Sequence, residues 1–219
     1  YKNGFKSIDK GLKKIQDFSE YSPSITTKSL LNSEQKKILQ EIDRQVKPSY
    51  YSTNLLQGIP GSGKTHVYFE IIKKALKEKA QVLVMLPEKG LSEQIAERFK
   101  SFFNYQPAIW HSGIKDKDKK KIWKGVFKNK IKLVLGARSA MFLPFQKLKL
   151  IIIDEEHDSS YKQDEGICYN ARDMSILMAS IEKFPIYLVS ATPSVETYNN
   201  VDQKKYNSFN LTTRYNESE

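Results

Sequence analysis

The 219 residues carry 36 Lys+Arg against 25 Asp+Glu, a net charge of +11, and 39% are hydrophobic, a globular balance that argues against general disorder. The length suits one large domain or two small ones, and no apolar run approaches the ~20 residues of a membrane span. A single cysteine, Cys168, excludes an internal disulfide framework and a multi-cysteine zinc site within the chain, while the positive charge fits a polyanionic partner.

Residues 1–29 are polar and weakly periodic, broken at Ser22-Pro23-Ser24, and read as a leader or linker. A helix is predicted over residues 33–46, capped by Asn32 or Ser33 and stopped by Lys47-Pro48. A short strand over 53–57 leads into a glycine-rich loop. From 64 to 79 the positions Val67, Ile71, Ile72, Ala75 and Leu76 keep helical spacing. Residues 82–86 form a continuous apolar run, as in a strand covered on both faces. Further helices fit 91–103, 116–127 and 171–183, and further strands fit 108–110, 131–135, 150–153 and 186–189. Strands alternating with helices imply a mostly parallel sheet with helices on both faces, hence one α/β domain with an N-terminal extension. No block of apolar residues flanked by basic ones marks a signal peptide, so a cytoplasmic location without membrane association is expected.

The charge is concentrated. Residues 115–132 hold nine lysines and two aspartates. Ile122, Trp123 and Val126 recur there at helical spacing, which favours a solvated helix face over a phosphate-contacting surface.

Gly58-Ile59-Pro60-Gly61-Ser62-Gly63-Lys64-Thr65 fits G-x-x-x-x-G-K-[ST], the phosphate-binding loop. Glycines at 58, 61 and 63 let successive N–H groups, including that of Ser62, turn toward phosphate oxygens, and the following helix adds its positive dipole end. Lys64 is expected to neutralise the β- and γ-phosphates and the Thr65 hydroxyl to ligate magnesium. After the strand at 150–153 comes Asp154-Glu155-Glu156-His157, at the strand end where open α/β sheets place their ligands. Asp154 is positioned to hold magnesium, and Glu155 to orient or deprotonate a water. Together these residues predict a P-loop NTPase. His66, His111 and His157 do not group as a zinc site.

Asp154-Glu155-Glu156-His157 with Ser190-Ala191-Thr192 resembles motifs II and III of superfamily 2 helicases and translocases. Other blocks narrow the likeness: Leu86-Pro87-Glu88 with Leu91, Gln94 and Arg98-Phe99; His111-Ser112-Gly113 followed by Trp123; Gly136-Ala137-Arg138-Ser139-Ala140 with Phe142 and Pro144-Phe145. Asp158-Ser159-Ser160-Tyr161-Lys162-Gln163, Tyr169-Asn170-Ala171-Arg172-Asp173 and Ser190-Ala191-Thr192-Pro193-Ser194 complete the series. In this order they resemble the primosomal protein N′ family of replication-restart helicases, over residues 30–215. Departures are His66 where that family usually has Glu, Pro60 in place of a common Thr, and Lys89 in place of an aliphatic residue.

The resemblance implies a RecA-like helicase lobe over residues 30–215, with 1–29 a remnant of an N-terminal DNA-binding region and 216–219 a truncated link to a second lobe. It implies ATP and Mg2+ as cofactors, and 3′-to-5′ movement on single-stranded or forked DNA during replication restart and primosome assembly. Primosome and single-strand-binding proteins would be partners. Zinc belongs to the full-length parent and not to this chain. Gln35 matches the family's adenine-reading glutamine, and His157, Ser190 and Thr192 would couple nucleotide state to DNA. An aromatic-rich loop offers Tyr161, Lys162, Tyr169 and Arg172 to unpaired bases and phosphates. Gln94, Arg98, Arg138 and Ser139 are candidates for the DNA backbone. Trp110, His111 and Trp123 read as packing residues. An arginine from a second lobe contributes on the order of 10³–10⁵ to related phosphoryl transfers, so the isolated lobe is expected to be nearly inactive. Alternatives are another superfamily 2 DNA translocase, of the fork-reversal or restriction-motor kind, and a non-catalytic binding module that keeps a nucleotide fold.

Overall fold

A computed structural model describes residues 31–215; the readings for residues 1–29 and 216–219 lie outside them. The first helix, α1 (Ser33–Gln45), begins with a reciprocal cap. The Asn32 side chain accepts from the Gln35 N–H at 2.8 Å, and Gln35 Oε1 accepts from the Asn32 N–H at 3.1 Å. Strand β1 (Ser52–Gly58) feeds the glycine-rich loop, and α2 (Lys64–Lys77) leaves it. Then follow β2 (Gln81–Met85), α3 (Glu93–Phe103), β3 (Ala108–Trp110), α4 (Asp116–Phe127), β4 (Leu133–Gly136) and β5 (Leu148–Asp154). The remainder is the small antiparallel pair β6 (Lys162–Gln163) and β7 (Tyr169–Asn170), then α5 (Ala171–Glu182), β8 (Pro185–Ser190), α6 (Val195–Asp202) and β9 (Asn207–Leu211).

Seven strands form one parallel sheet in the order β3-β4-β2-β5-β8-β1-β9. Successive strand residues point to opposite faces, so each strand feeds two cores. Leu56, Val82, Val84, Ile152, Val189 and Phe209 face α1, α2 and α3. Leu55, Leu83, Val134, Ile151, Ile153 and Leu188 face the other way, against α5 and Met141. Both faces are covered, which is why residues 82–85 of β2 and 150–153 of β5 read as unbroken apolar runs. This is the α/β RecA-like fold that the sequence predicted.

Buried polar side chains pin the sheet. Gln81 is fully enclosed; its amide N–H group donates to the Val126 and Ile131 carbonyls at 2.9 Å each. Its oxygen accepts from the main-chain N–H of Gln146 and Lys147. Four satisfied bonds make this polar group tolerable in an apolar layer.

Three features depart from the sequence reading. Strand β9 and helix α6 stand where no element was predicted, because only Phe209 and Leu211 of β9 and Thr197 of α6 are buried and neither segment shows a clear apolar period. Trp123, expected to pack, is 46% exposed and stacks on the equally exposed Phe127, ring centroids 5.7 Å apart. The lysine-rich segment is mostly a solvated face of α4, as favoured, yet Lys132 is buried and donates to the Lys79 carbonyl and Asn129. Among the described residues, no helix is long and apolar enough to cross a membrane.

Candidate nucleotide-binding site

The register of the sheet brings the two motif-bearing strands to one edge. Asp154 at the end of β5 pairs with Val189 on β8, and Gln57 on β1 pairs with Ser190 one residue further. The phosphate loop, Asp154 and Ser190 therefore share the carboxyl ends of neighbouring strands, where doubly wound sheets bind ligands. A cleft of about 660 Å³ opens there, lined by Gly61, Gly63, Lys64, Thr65, Asp154 and Glu155. That volume lies within the range of small-molecule sites.

The loop takes its shape from two left-handed glycines, Gly61 (φ 81°) and Gly63 (φ 79°). Gly63 also sits against Gln35, so that a Cβ at 63 would collide with the Gln35 amide nitrogen. Gln35 is fully buried and donates from that nitrogen to the Ser62 carbonyl at 3.0 Å. Both ends of its amide are thus engaged, one in the α1 cap and one on the loop. In this structure Gln35 is a brace between α1 and the phosphate loop. Gly58 is close to Ser62 and Leu211, and Ser62 is buried.

Lys64 curls over the loop, donating to the Gly58 carbonyl at 2.7 Å. Burial pulls its ammonium below the ordinary lysine range, and the carboxylates of Glu155 and Asp154 oppose that shift. Asp154 is held by two donors, the Tyr68 hydroxyl and the Glu155 N–H, each at 3.1 Å. Burial first, and the neighbouring Glu155 carboxylate second, push Asp154 up to about 6. The fully buried Tyr68 hydroxyl also lies close to the Thr65 side chain, so one phenol adjoins both oxygen ligands expected for magnesium. A carboxylate and a hydroxyl are hard oxygen donors that suit Mg2+, which takes one or two protein ligands and completes its shell with phosphates and water. Tyr68 was not singled out from the sequence.

After β5 the chain turns sharply, with Glu155 in the left-handed region at φ 47°. His157 Nδ1 lies 2.8 Å from Ser190 Oγ and 3.7 Å from Glu155 Oε2. Ser190 Oγ also accepts from the Thr192 N–H at 3.0 Å. His157, Ser190 and Glu155 are therefore brought together, while Thr192 joins through its backbone.

The remaining sequence candidates separate. Tyr161 is 2% exposed, and its hydroxyl donates to the Asp154 carbonyl at 2.6 Å, so it supports the turn from below instead of offering a ring to bases. Arg172, a DNA-contact candidate by sequence, is engaged here in structural pairing. It donates to Glu156 at 3.0 Å and to Ser194 Oγ at 2.8 Å. Glu156 is buried and also accepts from the Ser194 N–H and the Thr197 hydroxyl. Arg138 donates to the Ser160 and Lys162 carbonyls, fastening the β6 hairpin, and Ser139 accepts from the Trp110 indole. Tyr169 packs edge-on against Phe142. Arg98 lines the nucleotide cleft and lies 5.9 Å over the Phe69 ring. Gln94 and Lys162 remain exposed, the latter ion-paired with Asp164.

A phosphate loop at the end of one parallel strand and an acidic turn two strands away define a nucleotide-binding lobe of the RecA-like class. Residues 32–201 match the DEAD/DEAH box helicase family, and the chain belongs to that family. It is 47% identical over 186 residues to the replication restart protein PriA of Rickettsia felis, a match covering 85% of this chain and 28% of that relative. The PriA of Bacillus subtilis is 39% identical, with 85% and 23% covered. The chain thus spans less than a third of the length of these relatives. Among solved structures, the Hef helicase domain of Pyrococcus furiosus aligns with a TM-score of 0.52 at 17% identity, covering 83% of this chain and 40% of that one. The helicase MrfA, solved bound to DNA, aligns at 0.55 and 13% identity, covering 83% and 25%. Those two likenesses concern the fold.

Proposed function

We propose that the chain is the ATP-binding lobe of a DNA helicase that hydrolyses ATP and acts in replication restart. The observation that carries this reading is the convergence of Lys64, Thr65, Asp154 and Glu155 on one cleft at the strand ends. In it, the loop N–H groups and Lys64 would bind the triphosphate, and Asp154 with Thr65 would hold Mg2+. Magnesium, when bound, would supply neutralisation of phosphate charge. Glu155 orients the attacking water and accepts its proton. His157 and Ser190, hydrogen-bonded to each other beside Glu155, carry the state of the nucleotide toward the DNA path.

Identity near one half to proteins named for replication restart supports the biological assignment. By the same likeness, the partners are single-stranded and forked DNA, primosome proteins and single-strand-binding proteins, the location is the cytoplasm, and translocation runs 3′ to 5′. Zinc belongs to other parts of a full-length protein. Titration calorimetry with Mg-ATP tests the core of the reading. The chain is expected to bind, and Lys64→Ala to abolish binding; unchanged affinity in that variant removes the phosphate-loop assignment.

A further inference from the structure

One wall of the nucleotide cleft comes from the segment after β9, outside every motif named above. Arg214 and Tyr215 line the cleft beside Pro60, Gly61 and His66. The Tyr215 N–H donates to the Gly61 carbonyl at 2.9 Å, which fastens this segment directly to the phosphate loop. The Tyr215 ring lies over the His66 imidazole, centroids 5.0 Å apart and planes inclined by 30°. His66 follows Thr65 on the first turn of α2, so this pair of rings lines the cleft next to the phosphate loop.

A second fastening holds the segment in place. The Glu34 carboxylate, at the start of α1, accepts from the Thr212 N–H at 2.8 Å and the Thr212 hydroxyl at 2.7 Å. Its other oxygen accepts from the Thr213 N–H at 3.2 Å and from the Thr213 hydroxyl. Four donors on one carboxylate, followed two residues later by a bond to Gly61, leave residues 212–215 little freedom. Glu34 and Gln35 therefore act as neighbours with parallel tasks: one ties down the strap, the other braces the loop. The Gln35 amide is enclosed, and the half-buried rings of Tyr215 and His66 line the cleft beside the loop.

We infer that Tyr215, seated on His66 and held by the Glu34 strap, is the stacking platform for the base of the bound nucleoside triphosphate. An aromatic face binds a flat heterocycle by stacking irrespective of its hydrogen-bonding edge. The loop and Lys64 hold the phosphates, and Tyr215 supplies the separate affinity for the base. This inference rests on the nucleotide reading of the cleft.

Calorimetry on the chain in magnesium buffer, with ATP and inorganic tripolyphosphate as the two probes, tests it. Tyr215→Ala is expected to weaken ATP about tenfold to a hundredfold, the scale of one base–aromatic stack, and to leave tripolyphosphate within about twofold. Tyr215→Phe, which keeps the ring, is expected to retain the ATP affinity. Glu34→Gln is expected to give a smaller loss for ATP, again sparing tripolyphosphate. Equal losses for both probes, or unchanged ATP affinity in Tyr215→Ala, overturn the platform. Failure of the unaltered chain to bind either probe would instead defeat the nucleotide reading, and the platform with it.

Discussion

Arg172 and Glu156 meet at 3.0 Å on the inner side of the acidic turn, with the Glu156 side chain completely enclosed and that of Arg172 only 12% exposed. The pair ties the turn after β5 to the N-termini of α5 and α6, since Ser194 and Thr197 share the same carboxylate. Breaking a buried pair from one side leaves an uncompensated charge and costs about 3–5 kcal/mol. Arg172→Met should therefore lower the melting temperature by roughly 10 °C in a domain of this size. A double change with Glu156→Gln should recover part of that loss, because no stranded carboxylate remains. An unshifted melt in the single variant, with weakened DNA binding, would restore the DNA-contact reading of Arg172.

The two left-handed glycines of the phosphate loop are separable by substitution. A Cβ at Gly61 meets nothing within 4 Å, whereas one at Gly63 runs into the Gln35 amide. Gly61→Ala should cost only the left-handed penalty, roughly 1–2 kcal/mol. Gly63→Ala should cost about 1 kcal/mol more, the scale of a lost helix cap, because displacing Gln35 also opens the start of α1. Denaturant titrations of both variants measure the difference. In a Gln35→Ala background that difference should shrink; a difference that stays the same would show that the brace is not coupled to the loop.

The phosphate loop and the acidic turn were legible because their chemistry is local: glycines with fixed spacing, then a carboxylate directly after an apolar strand. The sheet was legible where both faces are covered, since a buried parallel strand admits little but apolar residues. Side chains that act across the fold were not. Tyr68 hydrogen-bonds a carboxylate 86 residues away, and Glu34 accepts from threonines 178 and 179 residues away. Tyr161 and Arg172 read as free aromatic and cationic groups because nothing local reveals that Asp154 and Glu156 enclose them.

Glu34 gives a pH signature. Partial burial raises its carboxyl pKa, but the hydrogen bonds from Thr213 and Thr212 together outweigh that and hold it at about 2, against an ordinary 4.5. A lowered carboxylate pKa contributes stability that is present above the unfolded value and lost as pH falls through the folded one. The melting temperature of the unaltered chain should therefore exceed that of Glu34→Gln by a constant, modest amount above about pH 5. The gap should narrow below the ordinary carboxylate range and close near pH 2. A gap that grows toward low pH contradicts the hydrogen-bonded carboxylate.

Aromatic residues on this chain differ sharply in what they hold together. Phe99 is fully buried and lies edge-on to Phe69 at 4.6 Å, joining α3 to α2 in the centre of one core. Trp123 is the larger side chain, yet nearly half of it faces solvent and its ring partner Phe127 is also exposed. Truncation cost follows the cavity and the surface returned to water, and size alone does not set it. Phe99→Ala should lose about 3–5 kcal/mol, while Trp123→Ala should lose about 1 kcal/mol or less. Chemical denaturation of the two variants ranks them directly. A larger loss for Trp123→Ala would return that residue to the packing role its place in the helical pattern of α4 suggested.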